Sequence, residues 1–324
     1  MANQITLVNR QREAPWIGIG VSGQWDDYRE ALHDAKLDFE AEAREAKVEI
    51  YDPYGTGFGT SIVNYETVPG VQVNVQKDNN RILGCVSNQY GIVQNEQAFS
   101  LLEPFTQLGG IITNAGMTEQ GLVFMVLRMR KEMINGEEWN FDVMCTNSFN
   151  GAFPCALMMV PTRIICQNMY RKLMGGSSDS LLHIRHGSMA QHRLTAASKV
   201  TGNVMNYVSA FGATLGMARN KSLAARDIKS DLLPMIFPYP KPGDRYETYK
   251  MRVDHLREEF MEQYYDAPDN RRYHGTGLGF INAYYDYLSH RDPAKCMPGS
   301  WEDRRLSGLV SGNDVKVSAI KAAM

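Results

Sequence analysis

The chain has 324 residues, with 34 Lys+Arg against 36 Asp+Glu, a formal charge of -2 and 44% hydrophobic residues. That apolar content can offset the ordering entropy of a folded chain, which excludes general disorder, and no window approaches the ~18 uninterrupted apolar residues of a membrane helix. A near-neutral total argues against a polyanionic partner only if the charge is evenly spread, and here it is not.

In chain order, the first twenty residues read as loop. Gly18-Ile19-Gly20-Val21-Ser22-Gly23 matches G-x-G-x-x-G but lacks the preceding strand and βαβ context that a dinucleotide site needs. Trp25 to Asp34 reads as a short helix, and Leu37, Phe39, Ala41 and Ala43 alternate with charged residues as in a strand. From Asp26 to Glu49 there are nine acids against four bases, so this end is acidic. Val71, Val73 and Val75 mark a strand, Asp78-Asn79-Asn80 a turn and Ile82 to Val86 a returning strand. Asn95 is placed as the N-cap of a helix carrying Ala98, Leu101, Leu102, Phe105 and Leu108, which Gly109-Gly110 ends.

An antiparallel meander follows. Its strands are Ile111 to Thr118, Leu122 to Arg130 and Trp139 to Thr146, with Asn135-Gly136 supplying a tight hairpin turn. Phe153 to Val160 and Arg163 to Ile165 extend it, and Leu182 to His186 adds a short strand. Residues 189–219 read as one long helix with Val200, Val204, Val208, Phe211 and Leu215 on its buried stripe. Pro234, Pro238, Pro240 and Pro242 form a linker before two further helices, about Arg245–Tyr264 and Gly279–Ser289. The expected class is α+β: an antiparallel meander packed against a long helix, residues 1–230, then a helical C-terminal region, residues 231–324.

The central charge is the reverse of the N-terminal one. Between Val143 and Val200 stand Arg163, Arg171, Lys172, Arg185, Arg193 and Lys199 against Asp179 alone, with His183, His186 and His192 in the same stretch. Such a segment suits a phosphate backbone, and Gln167, Asn168 and Tyr170 supply hydrogen-bonding and stacking groups beside it. The competing reading is a solvated face balanced by the acidic N-terminus. No P-loop is present, so nucleotide-driven recombination is not expected.

The first sixteen residues lack the apolar stretch of a secretory leader. Five cysteines, Cys85, Cys145, Cys155, Cys166 and Cys296, without a C-x-x-C pair, fit free thiols in a reducing compartment. His183 and His186 would point to opposite faces of a strand, which is poor geometry for one metal ion. Cys166, at the expected start of a helix with His183 or His186 as base, is an alternative nucleophile. Asp286 and His290, four residues apart, read as a surface pair. Neither a metal nor a cofactor is expected.

Several runs together resemble the phage/plasmid-like proteins grouped as domain-of-unknown-function family 932. They are Pro15-Trp16-Ile17-Gly18-Ile19-Gly20, Leu83 through Phe99, Thr146-Asn147-Ser148-Phe149-Asn150-Gly151, Pro161 through Asn168, Ile184-Arg185-His186 and Asn282-Ala283 with Tyr287 and His290. Phe149 departs from the small or polar residue usual there. The resemblance implies a phage or plasmid source and a bacterial host cytoplasm. The order of meander and long helix is similar, in architecture only, to single-strand annealing proteins of the Erf, Red-beta and Rad fifty-two kinds. That likeness implies ATP-independent binding of single-stranded DNA by a ring or filament of identical subunits. The alternatives are a protein–protein interaction factor, such as a counter-defence inhibitor, and a Cys/His enzyme.

Overall fold

A computed structural model describes residues 14–51, 62–164, 168–170, 172–173, 180–187, 204–290, 299–311 and 315–324. Among the described residues, ten strands form two antiparallel sheets. The larger has the order β1-β5-β6-β7-β8-β10, with β9 also on β8: β1 Val21–Trp25, β5 Ile111–Met117, β6 Val123–Ile134, β7 Glu137–Asn147, β8 Cys155–Arg163, β9 Asn168–Met169 and β10 Ser180–Ile184. The smaller is β2-β3-β4, from Ala41–Tyr51, Ile62–Gln76 and Ile82–Ser87. The helices are α1 Tyr28–Asp34, α2 Asn95–Phe99, α3 Glu103–Thr106 and α4 Val204–Asn220, followed by a helical run over 225–236. They continue with α5 Tyr246–Asp266, α6 Gly277–His290, α7 Trp301–Ser311 and α8 Val317–Ala323. The class is α+β with a helical C-terminal part.

The meander follows the apolar alternation of its strands. Asn135 and Gly136 both take positive φ, 54° and 78°, which lets the β6–β7 hairpin close on two residues. β7 and β8 are buried along nearly their whole length. Met158 and Met159 fill that interior, as their adaptable side chains allow.

Local signals were less reliable at element ends. Trp25 closes β1 rather than opening α1, whose N-cap is Asp27. The α2 cap is Gln94, not Asn95: Asn95 is already helical, and its amide reaches back to the Leu37 carbonyl at 2.9 Å. The helix expected over 95–108 is broken into α2, a 3-10 turn at Ser100–Leu102 and α3. Pro104 explains the break, because it cannot donate the α-helical bond back to Ser100. The early part of the long helix, 189–203, lies outside the described residues, and α4 carries the remainder.

The helices join the sheet through a cluster of rings. Phe211 of α4 meets Trp139 and Phe141 of β7 edge-on, with centroids 5.2 and 5.4 Å apart. Tyr170, just after β9, contacts Trp139 at 4.8 Å and Tyr285 of α6 at 4.4 Å. The C-terminal helices that follow the prolines therefore share one core with the meander. Phe211→Ala removes the ring at the centre of this cluster. The expected loss is about 3–5 kcal/mol, read as a lower urea midpoint; a loss below about 1 kcal/mol would show that α4 is not fixed by these contacts.

Candidate nucleic-acid interface

Two residues expected to face DNA belong to the interior. Arg163 ends β8 opposite Trp139 and has no exposed side-chain surface. Its Nε donates to Glu137 at 2.7 Å, Nη1 to the Asp269 carboxylate at 2.8 Å and Nη2 to the Asp269 carbonyl at 3.0 Å. A second bond joins Nη2 to Glu137, which also accepts from Arg272. Burial pushes the Glu137 carboxyl up, but the bonds and charges of Arg163 and Arg272 outweigh it and hold that carboxyl below its ordinary value. Arg163 is thus an internal fork tying the sheet to the Asp269 turn, not a phosphate contact. Tyr170 is likewise buried, donating its hydroxyl to Asn282 at 2.8 Å, rather than lining a groove.

Other expectations resolve differently. Asn168 opens the short strand β9 instead of a helix, pairing with Arg163. Lys172 is half-buried with φ 57°, the left-handed bend that follows Tyr170. Asp286 is buried and accepts from Gln263 of α5, so it is not part of a surface pair. Gln167, Arg171, Arg193 and Lys199, like Cys166 and the Asn168 side chain, lie outside the described residues.

The described residues that remain as an interface converge at the end of β10. His183 is exposed on β10, the outer strand of the larger sheet among the described residues, and Arg185 is exposed directly after its end. His186, past the strand end, turns inward and stacks on Tyr90, with centroids 4.8 Å apart and planes 14° from parallel. Its Nδ1 lies 3.3 Å from the Gly91 carbonyl. Burial, only partly offset by backbone hydrogen bonds, depresses the His186 pKa. Tyr90 carries no charge; its sequence signals are the polar run Ser87-Asn88-Gln89 before it and its place in the Leu83–Phe99 run. Asn88 and Gln89 are exposed beside it.

The Thr146–Gly151 stretch supports this place from beneath. The Tyr90 hydroxyl donates to the Ser148 carbonyl at 2.7 Å, and the Asn74 amide donates to the Phe149 carbonyl at 2.7 Å. Asn147 donates to the Val93 carbonyl at 2.9 Å and to Asn95 at 3.0 Å. The side chain of Phe149 is itself buried, 5.6 Å from Phe39. The ring at this position thus contributes to packing in the interior.

Cys166, the expected nucleophile, lies outside the described residues, and two of the described thiols are not activated. Cys145 and Cys155 are buried, and burial raises both thiols, Cys155 to about 12 and Cys145 well above its ordinary value. That is opposite to nucleophile activation. No group of three or more metal-ligating side chains occurs among the described residues, and no described helix is long and apolar enough to cross a membrane. A cleft of about 510 Å³ is lined by Arg29, Asp38, Glu40 and Glu96 among others. Three carboxylates against one guanidinium make it repel phosphate.

Two measurements test these placements. Arg163→Lys keeps a cation but loses the planar fork that serves Glu137 and Asp269 together. We expect a lower urea midpoint and an unchanged salt dependence of any DNA binding; a changed salt dependence would return Arg163 to the interface. For His186 the folded pKa lies below the unfolded value near 6.5, so the unfolded chain takes up its proton first. Its stability contribution is intact above that value and is lost as pH falls through the folded pKa. His186→Phe keeps the stack and removes the titration, so the difference in stability between variant and parent should change between about pH 7 and pH 5; a constant difference would contradict the assignment.

No curated protein and no solved structure matches the chain. A family model described as "Domain of unknown function (DUF932)" matches residues 82–310, from the first residue of β4 almost to the end of α7, which is well over half of the chain. The polar loop after β7, the Tyr90–His186 stack and the α6 residues that receive Tyr170 all fall within the match, and the chain belongs to this DUF932 family.

Proposed function

We propose that the protein binds single-stranded DNA without ATP, as an annealing-type recombination protein of a phage or plasmid. It would act in the bacterial host cytoplasm as a ring or filament of identical subunits. The observation that carries this reading is the exposed pair His183, on β10, and Arg185, directly after it, next to the Tyr90–His186 stack. Cations hold the phosphate backbone without reading sequence, and amide and aromatic groups such as Asn88, Gln89 and Tyr90 suit unpaired bases. The sequence continues from there through His192, Arg193 and Lys199 with no acid, so the local charge stays positive. Removing Arg163 from the set narrows the footprint but does not reverse its sign.

Fluorescence anisotropy of a labelled single-stranded oligonucleotide, titrated over a range of salt, tests the reading. Affinity should fall linearly on a log–log plot, with a slope of about 0.7 per phosphate neutralised. Arg185→Ala should weaken binding and lower that slope by about one such contact. Absence of binding at low salt, or binding indifferent to salt, would reject the proposal. Compact particles that hold one host protein after nuclease treatment would favour the counter-defence reading instead.

A further inference from the structure

The β2–β3 hairpin is the most exposed element of the fold. β4 pairs with β3 only over Val71–Val75, so from Lys47 outward, where β2 pairs with Thr67 to Ile62, the hairpin is a ribbon of two strands. Every residue of β2 from Lys47 to Tyr51 is exposed. Among them and their partners are Val48 at 47%, Ile50 at 36%, Tyr51 at 46% and Tyr65 at 56% exposure. A two-stranded ribbon is marginal in water; a third strand or a packed face is what makes such a sheet stable. Among the described residues β2 is also the outer strand of its sheet. At its inner end that edge is closed: the Gln94 side-chain amide takes both backbone groups of Ala41, accepting from its N–H at 2.9 Å and donating to its carbonyl at 2.8 Å. Beyond Ala41 the edge is left for another strand.

We infer that the outer part of β2 pairs antiparallel with β2 of a second copy of this chain, about a two-fold axis through Val48. The charge pattern selects this occupant and this register. In a two-fold antiparallel pair, facing residues share a side of the sheet, so the axis must pass through one residue that meets its own copy. An axis at Arg44, Glu45, Lys47 or Glu49 sets like charges face to face, which is unfavourable. An axis at Ala46 or Ala43 would bring Ala41, already closed by Gln94, into the pairing, opposite Tyr51 or Glu45, and an axis at Ile50 would pair only Glu49 to Tyr51 of the strand. An axis at Val48 sets Val48 against Val48, Ala46 against Ile50, and Lys47 against Glu49 twice, with no like charges opposed. The pair joins two marginal ribbons into one sheet of β3-β2-β2-β3 and sets Val48 and Ile50 of both copies side by side on one face. The contact closes on itself as a dimer; a ring or filament would require a second, different surface. It stands independently of the DNA reading.

Sedimentation of the full chain at tens of micromolar should show a dimer. Lys47→Glu and Glu49→Lys each place like charges opposite one another twice, and each should weaken dimerisation at least ~10-fold. The double variant exchanges the two charges and should dimerise like the parent. In a Cys85→Ser background, which removes the exposed thiol on β4, Val48→Cys should cross-link to a disulfide dimer under mild oxidation, because facing Cα atoms lie about 4.5–5.5 Å apart. Thr67→Cys on β3 should remain at the level of the Cys85→Ser parent. A monomeric parent, single reversals that leave the dimer intact, or cross-linking at residue 67 but not at residue 48 would each overturn the inference.

Discussion

The satisfaction of buried backbone carbonyls by asparagine side chains holds the two sheets together. Asn147 reaches Val93, Asn95 reaches Leu37 and Asn74 reaches Phe149, all from buried positions. A buried carbonyl without a partner costs about 1–3 kcal/mol, so these contacts are conditions on where each chain segment can lie. Asn147 also binds Asn95 directly, which ties the end of β7 to the start of α2. The loop after β7 is held in turn by Ser148, whose hydroxyl donates to the Phe153 carbonyl at 2.6 Å. Tyr90 leans on this loop, His186 leans on Tyr90, and β10 presents its cations from that base.

The charge distribution takes on a different meaning in three dimensions. Reading net charge along the chain counted Arg163 as part of a basic face, yet its charge is consumed within the core by Glu137 and Asp269. Several cations of the acidic N-terminal segment are also engaged locally: Arg29 with Glu96, Arg44 with Glu42 and Lys47 with Glu45. These exposed pairs add little to stability. Their arrangement along β2 still matters, because it decides which register a neighbouring strand can accept.

The meander was legible because each strand alternates over many residues and Asn135-Gly136 announces its own turn. Of the C-terminal helices, α5 and α6 were legible from their spacing; the run over 225–236, read as part of a proline linker, and α7 and α8, read as a polar tail, were not. What escaped was set by tertiary contact. β1 is five residues long and acquires its identity by pairing with β5. The Gln94 cap depends on a glutamine whose side chain also serves Ala41, 53 residues away. Arg163, Tyr170 and Asp286 look like surface residues because their types are usually exposed. Each is buried where partners distant in sequence receive it. His183 and Arg185 were legible from their residue types, but the stack they stand beside was not, because it joins Tyr90 to a residue 96 positions away.

Gly84 shows how tightly the seam between the sheets is drawn. A Cβ built there would lie 2.5 Å from the Cα of Asn150, main chain against main chain. No rotamer change can relieve such an overlap, so even alanine at this position would have to lift the smaller sheet off the loop. The hairpin arm hangs from that same sheet. Its angle to the body is therefore fixed by the width of one missing methyl group, and a strand that docks on the arm inherits its orientation from a contact made at the opposite end of the sheet.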